Sequence, residues 1–250
     1  MATSTRCQKG HQMPSPVSMP DTPRSLFSPI ASNYDRPAQL LSLLQYRRWH
    51  DFLLSRLSLP AGARVLDMAT GTGALALLLS RRDGLRVTAA DVTRPMLLEA
   101  AARSAGMESS RPDLVECTAE AVPLADVAFD AVVFTYLLRY VSDVPGTLAE
   151  LTRVLKPGGT MASLDFAVPH GPAHALWRLY TAVGLPLGGA LLSPAWRRVG
   201  SFLGSSIRNF YRRWPEERLL ELWREVGFPD VQKKRLSLGG AIVVWGTKAK

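Results

Sequence analysis

Two acids and two glycines carry the first chemical signal in the chain. In Val65-Leu66-Asp67-Met68-Ala69-Thr70-Gly71-Thr72-Gly73, apolar residues lead into a bend. There Gly71 and Gly73 let backbone approach a ligand without a Cβ in the way. A helix starting just after Gly73 aims its free N–H groups at the same place. Asp91 closes the next apolar stretch. A carboxylate there suits a pair of ribose hydroxyls, because it offers only acceptors. The run Gly71-Thr72-Gly73-Ala74-Leu75-Ala76 also fits G-x-G-x-x-A with an acid about twenty residues on, a dinucleotide fingerprint. The fragment by itself therefore leaves two adenosine-bearing ligand classes open.

The elements that must hold these residues decide between them. Strand and helix signals alternate: strands at Arg64 to Ala69, Arg86 to Asp91, Asp113 to Cys117, Ala131 to Thr135 and Thr160 to Phe166. Helices are expected at Ala74 to Arg82, Pro95 to Ala105 and Val144 to Leu155, the last stopped by Lys156-Pro157-Gly158-Gly159. Alternation of this kind predicts an α/β fold, a Rossmann-like doubly wound sheet with helices on both faces. After a helix from Glu216 to Val226, the strands Asp230 to Ser237 and Ala241 to Thr247 are separated by Gly239-Gly240. Strands joined so tightly run antiparallel, since a parallel pair needs a long crossover. A mostly parallel sheet closed by a C-terminal antiparallel hairpin resembles the class I methyltransferase fold rather than a dehydrogenase. Asp67, four residues before Gly71, also stands where such methyltransferases carry an acid. On that resemblance the cofactor is S-adenosyl-L-methionine (SAM).

Other segments are read from composition. Residues 1–25 are rich in Ser, Thr, Pro and Met and read as a disordered N-terminal tail, without the apolar core of a signal peptide. Residues 26–250 then form one domain. From Leu26 to Leu57 the chain reads helical, with Leu40, Leu41, Leu44, Trp49, Phe52, Leu53 and Leu57 as its apolar stripe. Cys7 and Cys117 cannot build a disulfide framework or a Cys-rich zinc site, which points to a reducing, cytoplasmic setting. His170 and His174 are spaced for a metal on a helix, but Gly171-Pro172 between them and the lack of a nearby acid argue against one; no metal is expected. The net charge of +9 comes without a nucleic-acid motif, so no nucleic-acid partner is expected. No apolar run reaches the length of a membrane span; Thr181 to Ala195 comes nearest and is interrupted by Gly184, Pro186 and Gly188. Between Phe166 and Pro215 there is no acid, while Arg178, Arg197, Arg198, Arg208, Arg212 and Arg213 interleave with aromatics. This 167–215 insertion suits a lid over a lipophilic substrate, with peripheral membrane contact through its arginines. A capping subdomain with core aromatics and solvated arginines is the plainer alternative.

The chain resembles the C-methyltransferases of menaquinone and ubiquinone biosynthesis from Phe27 to Lys248. The resemblance is carried by Phe27-Ser28-Pro29-Ile30-Ala31 with Tyr34-Asp35, by Asp67 to Gly73, by Ala119 to Leu124 and by Leu138-Arg139. Arg153 to Gly159, Leu164-Asp165-Phe166 and Leu238-Gly239-Gly240 continue it. It implies SAM contacts from Thr72, Asp91, Thr118, Ala119 and Thr135, and places Tyr34 and Arg139, the candidate catalytic residues, near the reacting ring. The implied reaction moves a methyl group to a ring carbon of a prenylated, demethylmenaquinol-like quinol. Methylation of another small molecule at O, N or C is the alternative, and a homodimer is compatible with either. The chain departs from the family pattern at Thr118, at Ala38 and at Leu137-Leu138-Arg139-Tyr140.

Overall fold

The computed structural model describes residues 23–250 apart from 83, 108 and 109. The expected tail lies outside the described residues except for its last three, which open helix α1 (Pro23–Phe27). A 3-10 turn over Ser28–Asn33, helix α2 (Asp35–Leu41) and helix α3 (Tyr46–Leu54) follow. The single helix expected from Leu26 to Leu57 is thus broken into pieces. Pro29 and Pro37 each fall in the first turn of a new piece, where a missing N–H costs nothing. Leu43 and Leu44 turn left-handed between α2 and α3. With the period broken, Leu40 and Leu44 face solvent instead of completing the stripe.

The sheet then assembles as β1 (Arg64–Met68), α4 (Ala74–Ser80), β2 (Arg86–Asp91), α5 (Arg94–Arg103), β3 (Asp113–Glu116) and β4 (Phe129–Thr135). Helix α6 (Val144–Val154) passes straight into β5 (Leu155–Phe166). Lys156-Pro157-Gly158-Gly159 therefore bulges the start of a strand instead of forming a separate turn. The pairing to β4 slips there, and a Cβ on Gly159 would come within 2.8 Å of the Lys156 carbonyl oxygen. Beyond α7 (Pro172–Leu179), α8 (Leu185–Leu192), α9 (Pro194–Arg213) and α10 (Glu216–Glu225), the chain ends in β6 (Gln232–Leu236) and β7 (Ala241–Thr247).

Strand order is β3-β2-β1-β4-β5-β7-β6. The first five strands run parallel, and β7 lies antiparallel between β5 and β6. One face is covered by α6 and α10 through Leu148, Leu151 and Trp223, and the other by α3 and α4 through Leu53, Leu75 and Leu79. A parallel sheet buried on both faces explains why its central strands read as continuous apolar runs.

The insertion is mostly helical, from Pro172 to Arg213 with a break at Ser193. A π-turn over Tyr180–Gly184 joins α7 to α8, so Pro172–Leu192 forms one 21-residue helical run, long and apolar enough to cross a membrane by length and composition. This corrects the reading of Gly184 and Pro186 as interruptions. The Leu185 N–H bonds back five residues to the Tyr180 carbonyl, which makes room for the Pro186 ring. Glycines let α8 and α9 close on each other: a Cβ on Gly200 would lie 2.3 Å from the Leu185 carbonyl oxygen. Buried Trp196 and Val199 of α9 join Leu26 and Ile30 in a third cluster, which ties the insertion to the N-terminal helices.

Candidate active site

The glycine bend sits at the C-terminal end of β1, where the sheet order reverses between β1 and β4 and an open α/β sheet leaves a crevice. Gly71 adopts φ +57° and has open space where a Cβ would stand. Its N–H donates to Asp91 Oδ2 at 2.8 Å, while the Thr93 N–H donates to Oδ1 at 2.8 Å. Asp91 thus ties the end of β2 to the bend and still has lone pairs for a ligand. Burial pushes its carboxyl above the usual range, against these backbone donors.

Gly73 corrects the reading of both glycines as ligand-facing. At φ +77° it caps α4, and an added Cβ would come within 2.9 Å of the Ala100 Cβ. It serves the packing of α4 against α5 and does not line the crevice. Asp67 is also set back from it. Its side chain is fully buried, Oδ2 accepts from the Thr70 hydroxyl at 2.6 Å, and Oδ1 has no partner. Burial raises its pKa to about 7. Thr72 lies on the crevice, but its hydroxyl is engaged: it donates to Asp35 at 3.0 Å and accepts from Arg103 at 2.9 Å. Asp35 opens α2 beside Tyr34, so this latch pins the N-terminal segment onto the glycine bend. Nothing local to Arg103 marks it for that role, since it meets Asp35 and Thr72 only in the fold.

Gly71, Thr72, Asp91, Thr118, Ala119 and Thr135 line one cavity of about 320 Å³. That is in the range of small-molecule sites. The cavity continues past Thr135 into an aromatic chamber walled by Phe27, Tyr34, Tyr46, Tyr136 and Tyr140. Tyr34 stacks on Trp196 with ring centroids 5.7 Å apart, and Tyr140 stacks on Phe202 at 6.2 Å, so α9 backs this wall. Burial pushes the phenols of Tyr34 and Tyr136 well up, which keeps them neutral hydrogen-bond donors near neutral pH. Of the walls, only Tyr34 was singled out by sequence. Tyr136 could have been, because it directly follows Thr135 at the ligand-bearing strand end.

Arg139 lies behind the chamber wall. Its side chain is 1% exposed, and Nε donates to Asp165 Oδ1 at 2.8 Å. Asp143, four residues on, does not pair with it and instead caps α6 by accepting from the Gly146 N–H. Burial works against the charge of Arg139, but Asp165 outweighs it and keeps the guanidinium a cation. Arg139 Nη2 and the Tyr136 hydroxyl are both buried without a partner. Orphaned buried donors are uncommon and call for a ligand or water. His170 and His174 do not form a site: His170 is exposed, and the His174 ring lies 3.1 Å from the Pro169 carbonyl oxygen. Among the described residues, no group of three or more His, Cys, Asp or Glu converges.

These features fit an adenosyl sulfonium: a bend with no Cβ in the way, and the acid Asp91 lining the crevice at the end of β2. The order of the sheet, with its antiparallel β7, departs from a dinucleotide fold. Among solved structures, a methyltransferase from Methanococcus maripaludis superposes with a TM-score of 0.61 at 18% identity, covering 93% of this chain and 98% of that one. The phosphoethanolamine N-methyltransferase 2 of Haemonchus contortus, in complex with SAM, superposes with a TM-score of 0.61 at 15% identity, over 90% of this chain and 60% of that one. At such identities the likeness concerns the fold.

Sequence relatives are nearer. The chain is 37% identical over 225 residues to a ubiquinone/menaquinone biosynthesis C-methyltransferase of Desulfotalea psychrophila, covering 89% of each. It is 33% identical over 252 residues to a demethylmenaquinone methyltransferase of Symbiobacterium thermophilum, covering 96% of this chain and 98% of that one. The ubiE/COQ5 methyltransferase family matches residues 20–248. With nearly the whole length accounted for, and the fold in agreement, this chain belongs to the ubiE/COQ5 methyltransferase family and is a SAM-dependent methyltransferase.

Proposed function

We propose that the protein transfers a methyl group from SAM to a ring carbon of a prenylated quinol of the demethylmenaquinol kind. The observation that carries this reading is the aromatic chamber continuous with the cofactor crevice, with the unpartnered Tyr136 hydroxyl on a residue of its wall and the Arg139 cation buried behind it. A flat aromatic acceptor suits walls of tyrosine and phenylalanine. Relatives that share most of the chain's length are named for this same chemistry.

SAM brings an already activated methyl on a positively charged sulfur. The chain's own task is to hold and orient. Asp91 would take the ribose hydroxyls, and Thr118 and Ala119 would flank the adenine. Asp67, set behind the bend, would favour the positive end of the amino acid portion through its charge, and Thr135 would border the reacting methyl. Ring-carbon attack builds up as a quinol oxygen becomes anionic. The C–CH3 bond forms as the S–CH3 bond breaks, and S-adenosylhomocysteine leaves. Loss of the ring-carbon proton with return of the hydroxyl proton restores the quinol, one proton passing to solvent overall. Positioned donors stabilise charge that appears in the transition state. Arg139, held by Asp165 behind the chamber wall, lends its positive charge to that side of the cavity. The Tyr136 and Tyr34 phenols orient the ring as neutral donors. The 167–215 insertion covers the acceptor through Trp196 and Phe202 and carries the contact with the membrane where a prenylated acceptor resides.

The decisive experiment is lipid-quinone profiling of a strain lacking the gene, with complementation. Accumulation of the demethyl quinone, reversed by the intact gene, is expected. An unchanged quinone pool overturns the acceptor and leaves methylation of another small molecule.

A further inference from the structure

Large exposed apolar side chains are concentrated on two adjoining elements. Leu179, Val183, Leu187 and Leu191, spaced four apart along α7 and α8, all face outward, and Leu191 is 90% exposed. Only 22% of the most apolar stretch of Pro172–Leu192 is buried inside the protein. A helix so apolar and so little covered is unusual for a core element. The second element is the turn after α2, where Leu43 and Leu44, each 65% exposed, occupy left-handed conformations. The Tyr180 hydroxyl donates to the Leu41 carbonyl, and Gly188 lies close to the Leu41 side chain. The turn and the helix are therefore one surface.

Basic side chains frame it. Arg47 and Arg48 follow the turn, Arg178 lies within the helix, and Arg197 and Arg198 begin the next. All five are exposed, and among the described residues none forms an ion pair. Elsewhere Arg103, Arg153 and Arg235 do have carboxylate partners. Apolar side chains flanked by unpaired arginines match an interface whose interior is hydrocarbon and whose surface is anionic. One side of the helix is already packed on α9, where Gly189 meets Trp196 and Gly200 meets Leu185, so the run lies along a surface rather than crossing it.

We propose that Leu43-Leu44 and the outward face of Pro172–Leu192 form a docking surface for an anionic phospholipid bilayer, with both elements inserted into its outer layer. Docking rests on exposure and charge. That the bilayer also delivers the acceptor rests on the quinol reading above. Helix α9 packs on this helical run on one side and stacks on Tyr34 and Tyr140 of the chamber wall on the other.

The test is flotation of the purified full chain with vesicles of phosphatidylcholine alone or with about a third phosphatidylglycerol. The protein is expected to float with the anionic vesicles, and to be released by 0.5 M salt in greater part than by 0.1 M (roughly, from charge screening). L43S/L44S and L187S/L191S should each weaken vesicle binding by about a hundredfold or more, the scale expected for removing two inserted leucines, with SAM affinity by calorimetry kept as the sign of intact folding. Leu98→Ser, at an exposed leucine on α5, should leave binding unchanged. Equal binding by both double variants, no binding by the wild type, or a dimer that the same variants dissolve would overturn the proposal. If the quinone profile is unchanged in the deletion strain while vesicle binding persists, only the acceptor reading fails.

Discussion

The cofactor crevice and the acceptor chamber share one cavity but are made in different ways. The crevice is built from short, consecutive stretches at the ends of β1, β2 and β4, each held by backbone hydrogen bonds of its own neighbourhood. The chamber is made of Phe27, Tyr34, Tyr46, Tyr136 and Tyr140, with Trp196 and Phe202 behind, brought together from four separate parts of the chain. Parallel strands fix the first by register. Side-chain packing fixes the second, so it is the part free to vary in acceptor while methyl donation is kept.

If the division is real, substitutions in the two regions should fail in different ways. The largest expected effect is in the chamber. Arg139→Ala should lower kcat by about a hundred- to a thousandfold, the scale of losing a donor to transition-state charge, with SAM affinity within a few-fold of wild type. A comparable loss in SAM binding would break the distinction. Next comes Asp91→Ala in the crevice, which removes the ribose acceptors and the anchor of the Gly71 N–H. Calorimetry should show SAM binding weaker by about a hundredfold, from hydrogen bonds to a charged group worth about 1.5–3 kcal/mol each.

A pH experiment sharpens the contrast within the crevice. The folded, ligand-free protein holds the Asp67 proton up to about pH 7, above the ordinary aspartate value. Between about pH 4 and 7 the unfolded chain therefore binds fewer protons than the folded one, and this group's contribution to stability falls as pH rises. SAM favours the ionised form, so its affinity should fall as pH drops below 7, by up to about tenfold per unit. Asp67→Asn should flatten that slope; a slope that survives removes Asp67 from the ligand. The smallest effect is expected at Tyr136. Tyr136→Phe removes a buried hydroxyl without a partner, so it should raise Tm slightly, by about 1 kcal/mol of stability, while lowering turnover several-fold. A loss in both would assign the hydroxyl to the fold.

The same contrast governs how much could be read from sequence. Asp67, Gly71 and Asp91 were legible because a strand-bend-helix unit places them by local geometry, and the antiparallel β7 was legible from the short Gly239-Gly240 joint. The α6–β5 junction was not, because Pro157-Gly158-Gly159 reads as a turn whether it stands alone or bulges a strand. Nor was the break at Leu43-Leu44, since no glycine or asparagine marks a left-handed turn there. Arg139 illustrates a deeper limit: its partner is Asp165 on β5, twenty-six residues away, which meets it only through tertiary packing.

The meeting of Asp35, Thr72 and Arg103 ties the start of α2, next to Tyr34, directly to the glycine bend. On the proposed reading, a shift of that bend on SAM binding should be felt one residue away at Tyr34. A weakening of that clasp, by Arg103→Gln for example, therefore should not sort into donor or acceptor defects; both KM values should rise together, and the order in which the two partners are taken up should loosen.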